Sequence, residues 1–115
     1  MALHDALTRL VQAGTIPVHP LTSLCAAISV GIVGGTPVID LPYVEDSGAE
    51  VDMNVVMLRD TSTGVARFVE VQGTAEGMAF TRGELDSLLG LAENGLAEIF
   101  DLQSRLIASE PPRRP

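Results

Sequence analysis

Apolar positions recur along the chain with two periods, one helical and one of strands. From Ala2 to Ala13, Leu3, Leu7, Leu10 and Val11 fall at i, i+4, i+7 and i+8, one stripe of a helix that Gly14 stops. Thr15 to Leu24 holds Pro17 and Pro20 and reads as a connector. Cys25 to Val33, with Ile28, Val30, Ile32 and Val33, reads as a strand. Gly34-Gly35 supplies the positive φ angles of a two-residue turn, and Thr36 to Leu41 returns as a second strand. Pro37 suits an edge position there, and Pro42 ends the strand. Val51 to Leu58 and Arg67 to Gln72 form a second pair across the polar loop Arg59 to Ala66. The alternation of Phe68, Glu70 and Gln72 with Val69 and Val71 predicts a sheet with one covered face.

The last element has the fullest signature. Thr81-Arg82-Gly83-Glu84 matches a capping box, with Thr81 at the N-cap and Glu84 reaching back. Leu85, Leu88, Leu89, Ala92, Leu96 and Ile99 then mark one face of a long amphipathic helix, to about Ile107. Gly90 and Gly95 each weaken it by roughly 1 kcal/mol relative to alanine, which close packing against the sheet would explain. The order predicts an α+β fold, a two-layer sandwich with helices packed on a mostly antiparallel sheet. Residues 1–108 form one domain in this reading, and 109–115, with Pro111-Pro112-Arg113-Arg114-Pro115, a disordered tail.

Composition narrows the partners. Apolar residues make up 46% of the chain and charged residues 19%, which suits a compact core or surface kept for a partner. No apolar run approaches the roughly 18 residues of a membrane span, and no signal-peptide pattern opens the chain. A cytoplasmic location is the default expectation. Cys25 is the only cysteine, which excludes an internal disulfide, and its apolar neighbours predict a small core residue. The formal charge of −8 argues against this chain gripping nucleic acid by itself. Aromatic residues, at 3%, provide no stacking platform for bases.

The chemistry lies with carboxylates. Neither G-x-x-x-x-G-K-[ST] nor G-x-G-x-x-G is present, and Gly73-Thr74-Ala75-Glu76-Gly77 reads as a plain turn. His4 and His19 stand outside any nucleophile motif and are expected to be solvated. Asp40, Glu45, Asp46, Glu50, Asp52 and Glu70 remain. Asp46 lies in a polar turn and Asp52, six residues on, inside an apolar strand. A carboxylate in a strand must be solvated, paired or ligated, because burying it alone is very costly. Two carboxylates converging at a strand mouth can hold magnesium beside a phosphate. The same spacing also fits a solvated turn and a surface residue on an edge strand. Glu45 and Glu50 are secondary ligands in the first case and solvated turn residues in the second.

The segments SVGIVGGTPVIDLPYVEDSGAEVDMNVVM, RFVEVQGTAEG and FTRGELDSLLGLAENG resemble ribonuclease PH, the phosphorolytic exoribonuclease that trims transfer RNA 3′ ends. The resemblance runs from about Ala2 to Leu106 and covers the C-terminal half of the family's length. It implies that Asp46 and Asp52 of the E-D-S-x-A-x-x-D-M-N pattern are catalytic residues and magnesium ligands. It further implies inorganic phosphate as co-substrate, a transfer RNA 3′ end as substrate and a hexameric ring of identical subunits. Family members carry a phosphate-binding Gly-Gly-Thr-Arg segment just before the helix matched by Ala2 to Val11. The present sequence begins after it, so the expectation is a chain lacking the phosphate side of the site. Two further readings are a non-catalytic structural chain docking with a partner that supplies the missing half, and a small acidic metal-binding domain.

Overall fold

A computed structural model describes residues 1–39 and 49–109. Helix α1 (Ala2–Gln12) is followed by β1 (Ser23–Val33), β2 (Thr36–Ile39), β3 (Val51–Asp60), β4 (Ala66–Ala75) and α2 (Arg82–Ala108). The strands form one sheet in the order β2-β1-β3-β4, and every pairing is antiparallel. With two helices this is the expected α+β arrangement. The β1–β2 turn has φ 57° at Gly34 and 77° at Gly35, the backbone that only glycine adopts without strain. β2 is an edge strand, as Pro37 requires.

Alternation along the two inner strands sets the core. Val30 and Ile32 on β1, with Val51, Met53, Val55 and Met57 on β3, are buried against α2. The helix answers with Leu88, Ala92, Leu96 and Phe100, spaced four apart. Leu85, Leu89 and Ile99 flank this row partly buried. The predicted capping box forms: Thr81 Oγ1 accepts from Glu84 N at 3.1 Å, and Thr81 N donates to Glu84 Oε1 at 3.0 Å. At the far end of the sheet Arg59 ties β3 to the helix. Its Nη1 donates to Asp101 Oδ1 at 3.0 Å, its Nη2 to Ser104 Oγ at 3.1 Å, and it lies 5.2 Å from the Phe100 ring centroid. Gln103 Nε2 donates to the Cys25 carbonyl at 3.0 Å, capping β1 where β2 does not run alongside it.

Three expectations are corrected. Cys25 is exposed, because Leu24 takes the core face of β1 and the next side chain points the other way. Among the described residues no element covers β4 from Ala66 to Thr74: α2 lies over β1, β2 and β3, and each of those residues is exposed, while Ala75 at the strand's end is half-buried against the core. Gly73, Thr74 and Ala75 continue β4 rather than forming a turn; the bend follows, with φ 106° at Gly77. A Cβ on Gly73 would come within 2.9 Å of Met53 Cε, so the strand uses glycine to lie close to the core methionine. Helix α1 forms where its stripe predicts but buries none of its residues.

Candidate active site on the open sheet face

Asp52 is the second residue of β3, an inner strand paired on both sides. Its register neighbours are Gly31 on β1 and Thr74 on β4. Since Val51 and Met53 face α2, Asp52 projects from the opposite, open face, where it is half-buried. The edge-strand alternative is thereby removed, because hydrogen bonds to β1 and β4 hold the backbone at Asp52 from both sides.

The open face around it is polar. Asn54, two residues along and roughly 7 Å away by strand rise, lies directly opposite Ser29 and Gln72. Ser29 Oγ donates to Asn54 Oδ1 at 2.9 Å, which turns the amide nitrogen of Asn54 outward as a donor. Sequence reasoning did not single out this pair. The signal was present in the two-residue spacing of Asp52 and Asn54, which puts both on one strand face. Thr74 adds a hydroxyl-bearing side chain opposite Asp52.

The other acidic candidates distribute unevenly. Asp40, Glu45 and Asp46 lie outside the described residues. Glu50 is exposed just before β3, and its backbone extends the ladder: its N–H donates to the Ile32 carbonyl and its carbonyl accepts from Glu76 N, both at 2.8 Å. Glu70 shares the open face but pairs with Val56, four positions along β4 from Thr74, and does not join Asp52. Among the described residues no group of three or more His, Cys, Asp or Glu side chains converges.

The histidines lie at the other end of the sheet and are not simply solvated. Their rings stack with centroids 4.5 Å apart. His19 Nδ1 accepts from Leu21 N at 3.3 Å, while its Nε2 lies 3.2 Å from both the His4 carbonyl and Thr8 Oγ1. They fasten the connector to α1 and take no part in the carboxylate site. The last residue of β3 is likewise structural, holding the polar loop that follows. Asp60 Oδ1 accepts from Ser62 Oγ at 2.7 Å, Ser62 N at 2.8 Å and Thr63 N at 2.9 Å. The Ser62 hydroxyl and these amide donors hold its pKa down, from 3.8 to about 2.

The model of the 3′ exoribonuclease family, domain 2, matches residues 23–95, from the first residue of β1 to the middle of α2. That span is well over half of the chain, narrower than the Ala2 to Leu106 resemblance, and contains the sheet, the open polar face and Asp52. The chain belongs to the ribonuclease PH type of 3′ exoribonuclease family, as a carrier of its C-terminal domain 2.

Proposed function

We propose that this chain carries the metal-side carboxylates of a phosphorolytic 3′-to-5′ exoribonuclease, with Asp52 and Asp46 as catalytic residues. The observation that carries the reading is the half-buried Asp52 on the open polar face of the matched domain, flanked by Gly31, Thr74 and Asn54. In the reaction an oxygen of inorganic phosphate attacks the phosphorus of the terminal phosphodiester. The bond to the 3′-oxygen of the shortened RNA breaks, that oxygen takes up a proton, and a nucleoside 5′-diphosphate leaves. Transfer RNA 3′ ends are the proposed substrate, in a cytoplasmic hexameric ring.

The donor set is compatible with magnesium. The ion commonly takes one or two carboxylates, retains water and binds substrate phosphate, and so does not need three protein side chains. Asp52 supplies one carboxylate and Asp46 the proposed second; bound there, the ion would neutralise charge on the reacting phosphates. Asp52 serves as ligand or as proton donor to the 3′-oxygen, and Asp46 as second ligand or positioning group. The Asn54 amide offers a hydrogen bond to a substrate hydroxyl or phosphate oxygen beside them.

The test is phosphate-dependent release of nucleoside 5′-diphosphates from a transfer RNA bearing extra 3′ residues, with magnesium present. Asp52→Asn, which preserves the strand ladder, should lower the rate at least about a hundredfold, the scale of a removed proton donor or charge stabiliser. Nucleoside monophosphates as products, or near-normal turnover by Asp52→Asn, would rule the assignment out. A second reading has its own support, in the uncovered α1 and the exposed β4: a non-catalytic chain docked to a partner. Phosphorolysis by this chain alone would exclude that reading.

A further inference from the structure

The row of side chains next to Asp52 on the open face carries no charge. Ser29, Asn54 and Gln72 lie side by side on β1, β3 and β4, two residues along the strands from Gly31, Asp52 and Thr74. Asn54 and Gln72 are exposed and Ser29 is half-buried. As direct partners across neighbouring strands, Asn54 and Gln72 stand about 4.5–5.5 Å apart at Cβ. Ser29 Oγ donates to Asn54 Oδ1 at 2.9 Å, so Asn54 presents its Nδ2 hydrogens to the face. The Gln72 amide carries a carbonyl oxygen that can accept beside them. A donor and an acceptor one strand apart suit a hydroxyl group, whose oxygen accepts and whose hydrogen is donated. The following row holds Ala27, Val56 and Glu70, which offers a carboxylate but no donor side chain.

The spacing identifies the hydroxyl. On the catalytic reading, Asp52 lies at the 3′-oxygen released when the last phosphodiester breaks. The ribose that keeps this oxygen carries a 2′-hydroxyl on the adjacent carbon. Side chains two apart on one strand face stand roughly 7 Å from each other. Two hydrogen bonds meeting at a single oxygen reach at most about 5.6 Å, which is too short. Two hydrogen bonds of about 2.8 Å joined through vicinal oxygens about 3 Å apart reach roughly 8 Å when extended, and cover the distance when bent. The 2′,3′ pair of one ribose therefore bridges Asp52 and Asn54. Gly31, beside Asp52, has no side chain and leaves room for the sugar ring close to the strand.

We propose that Asn54, aimed by Ser29 and assisted by Gln72, holds the 2′-hydroxyl of the ribose whose 3′-oxygen is released at Asp52. The inference rests on the catalytic reading for the place of that oxygen. Asn54 is then a specificity residue, and Ser29 a positioning residue that acts through the amide it orients.

The test uses the full chain with magnesium and without phosphate, so that binding is measured and nothing turns over. The probes are two trinucleotides of one sequence, one all ribose and one with a single deoxyribose at the middle residue, 5′ to the last phosphodiester. Binding is followed by NMR titration of the β3 backbone amides. The ribose probe should bind about three- to tenfold more tightly, the worth of one neutral hydrogen bond. Asn54→Ala should bring the ribose probe down to the deoxyribose probe and leave the latter unchanged. Ser29→Ala lets the amide turn and should lose part of the preference, which Ser29→Thr should retain. Far-UV circular dichroism checks that every variant is folded. Equal affinities for the two probes, or no binding of either up to about 10 mM, would overturn the proposal. So would a preference left unaltered by Asn54→Ala or Ser29→Ala, or an equal loss on both probes in Asn54→Ala, the mark of a phosphate contact. Failure of the catalytic reading shows separately, as nucleoside monophosphate products or normal turnover by Asp52→Asn.

Discussion

Gly90 and Gly95 sit on the same helix, five residues apart, and substitution by alanine should move stability in opposite directions. Each exchange removes the same glycine penalty, so helix propensity alone predicts a gain of about 1 kcal/mol at both sites. A Cβ on Gly90 meets nothing within 4 Å, and the full gain is expected there. A Cβ on Gly95 would press into Cδ1 of Ile39 and come within 2.7 Å of Cδ1 of Ile28. Both obstacles are the ends of side chains that can rotate, so the helix need not separate from the sheet. Repacking of this kind costs roughly 1–3 kcal/mol, which outweighs or cancels the propensity gain. The net result for Gly95→Ala is a loss of about 0–2 kcal/mol, and the two variants should differ by roughly 1–3 kcal/mol. Urea denaturation followed by circular dichroism measures this as a difference in midpoint at constant slope. Thermal midpoints should separate in the same sense, by about 4–8 °C per kcal/mol for a domain near this size. If Gly95→Ala proves as stable as Gly90→Ala, β2 does not pack beneath the helix as described.

Thr81→Ala removes the acceptor for Glu84 N and should cost about 1 kcal/mol, whereas Thr81→Ser should retain most of that stability in the same urea assay. Phe100→Ala empties a fully buried site beneath Arg59 and should cost about 3–5 kcal/mol, read from the same midpoint. The folded pKa of Asp60 lies below its unfolded value, so its contribution to stability is present above about pH 4 and is lost as pH falls towards 2. Asp60→Asn should therefore flatten the acid limb of the stability profile between those values. It should leave the protein's response to pH near neutrality unchanged.

Elements whose signal is local were legible from the residues alone. The capping box at Thr81 and the Gly34-Gly35 turn depend on backbone geometry within four residues, and both form where the sequence places them. Burial was legible only where the covering layer is wide enough. Val51 to Met57 lie beneath α2 and alternate as expected; β4 carries an equally good apolar pattern but lies outward of it. Periodicity reports which side chains share a face, and whether that face is covered depends on where a distant helix runs. Cys25 shows the same limit. Its apolar neighbours suggested a core position, yet Leu24 beside it takes the helix side of the strand. The bulge in β4 at Val69, where the register with β3 shifts, had no sequence signal, because no glycine or proline marks it.

The open face owes its chemistry to the strand that crosses it. With β1 on one side and β4 on the other, the backbone around Asp52 is held by the ladder, so strand pairing determines where the carboxylate starts. Gly31 on one flank contributes no side chain, leaving approach to the carboxylate from that direction free of a Cβ. Ser29 occupies the Oδ1 of Asn54 and thereby fixes which end of that amide faces outward. On the proposed reading, an anionic substrate next to a carboxylate needs a donor or a cation to offset repulsion, and Asn54 would supply a donor that requires no change of charge. Substituting Asn54 by aspartate would keep the side chain's size and reverse that effect, setting a second carboxylate roughly 7 Å from the first on the same face. Phosphate or nucleotide affinity should then fall without loss of fold, measured by calorimetric titration beside circular dichroism. Unchanged affinity would mean that the substrate does not reach this part of the sheet.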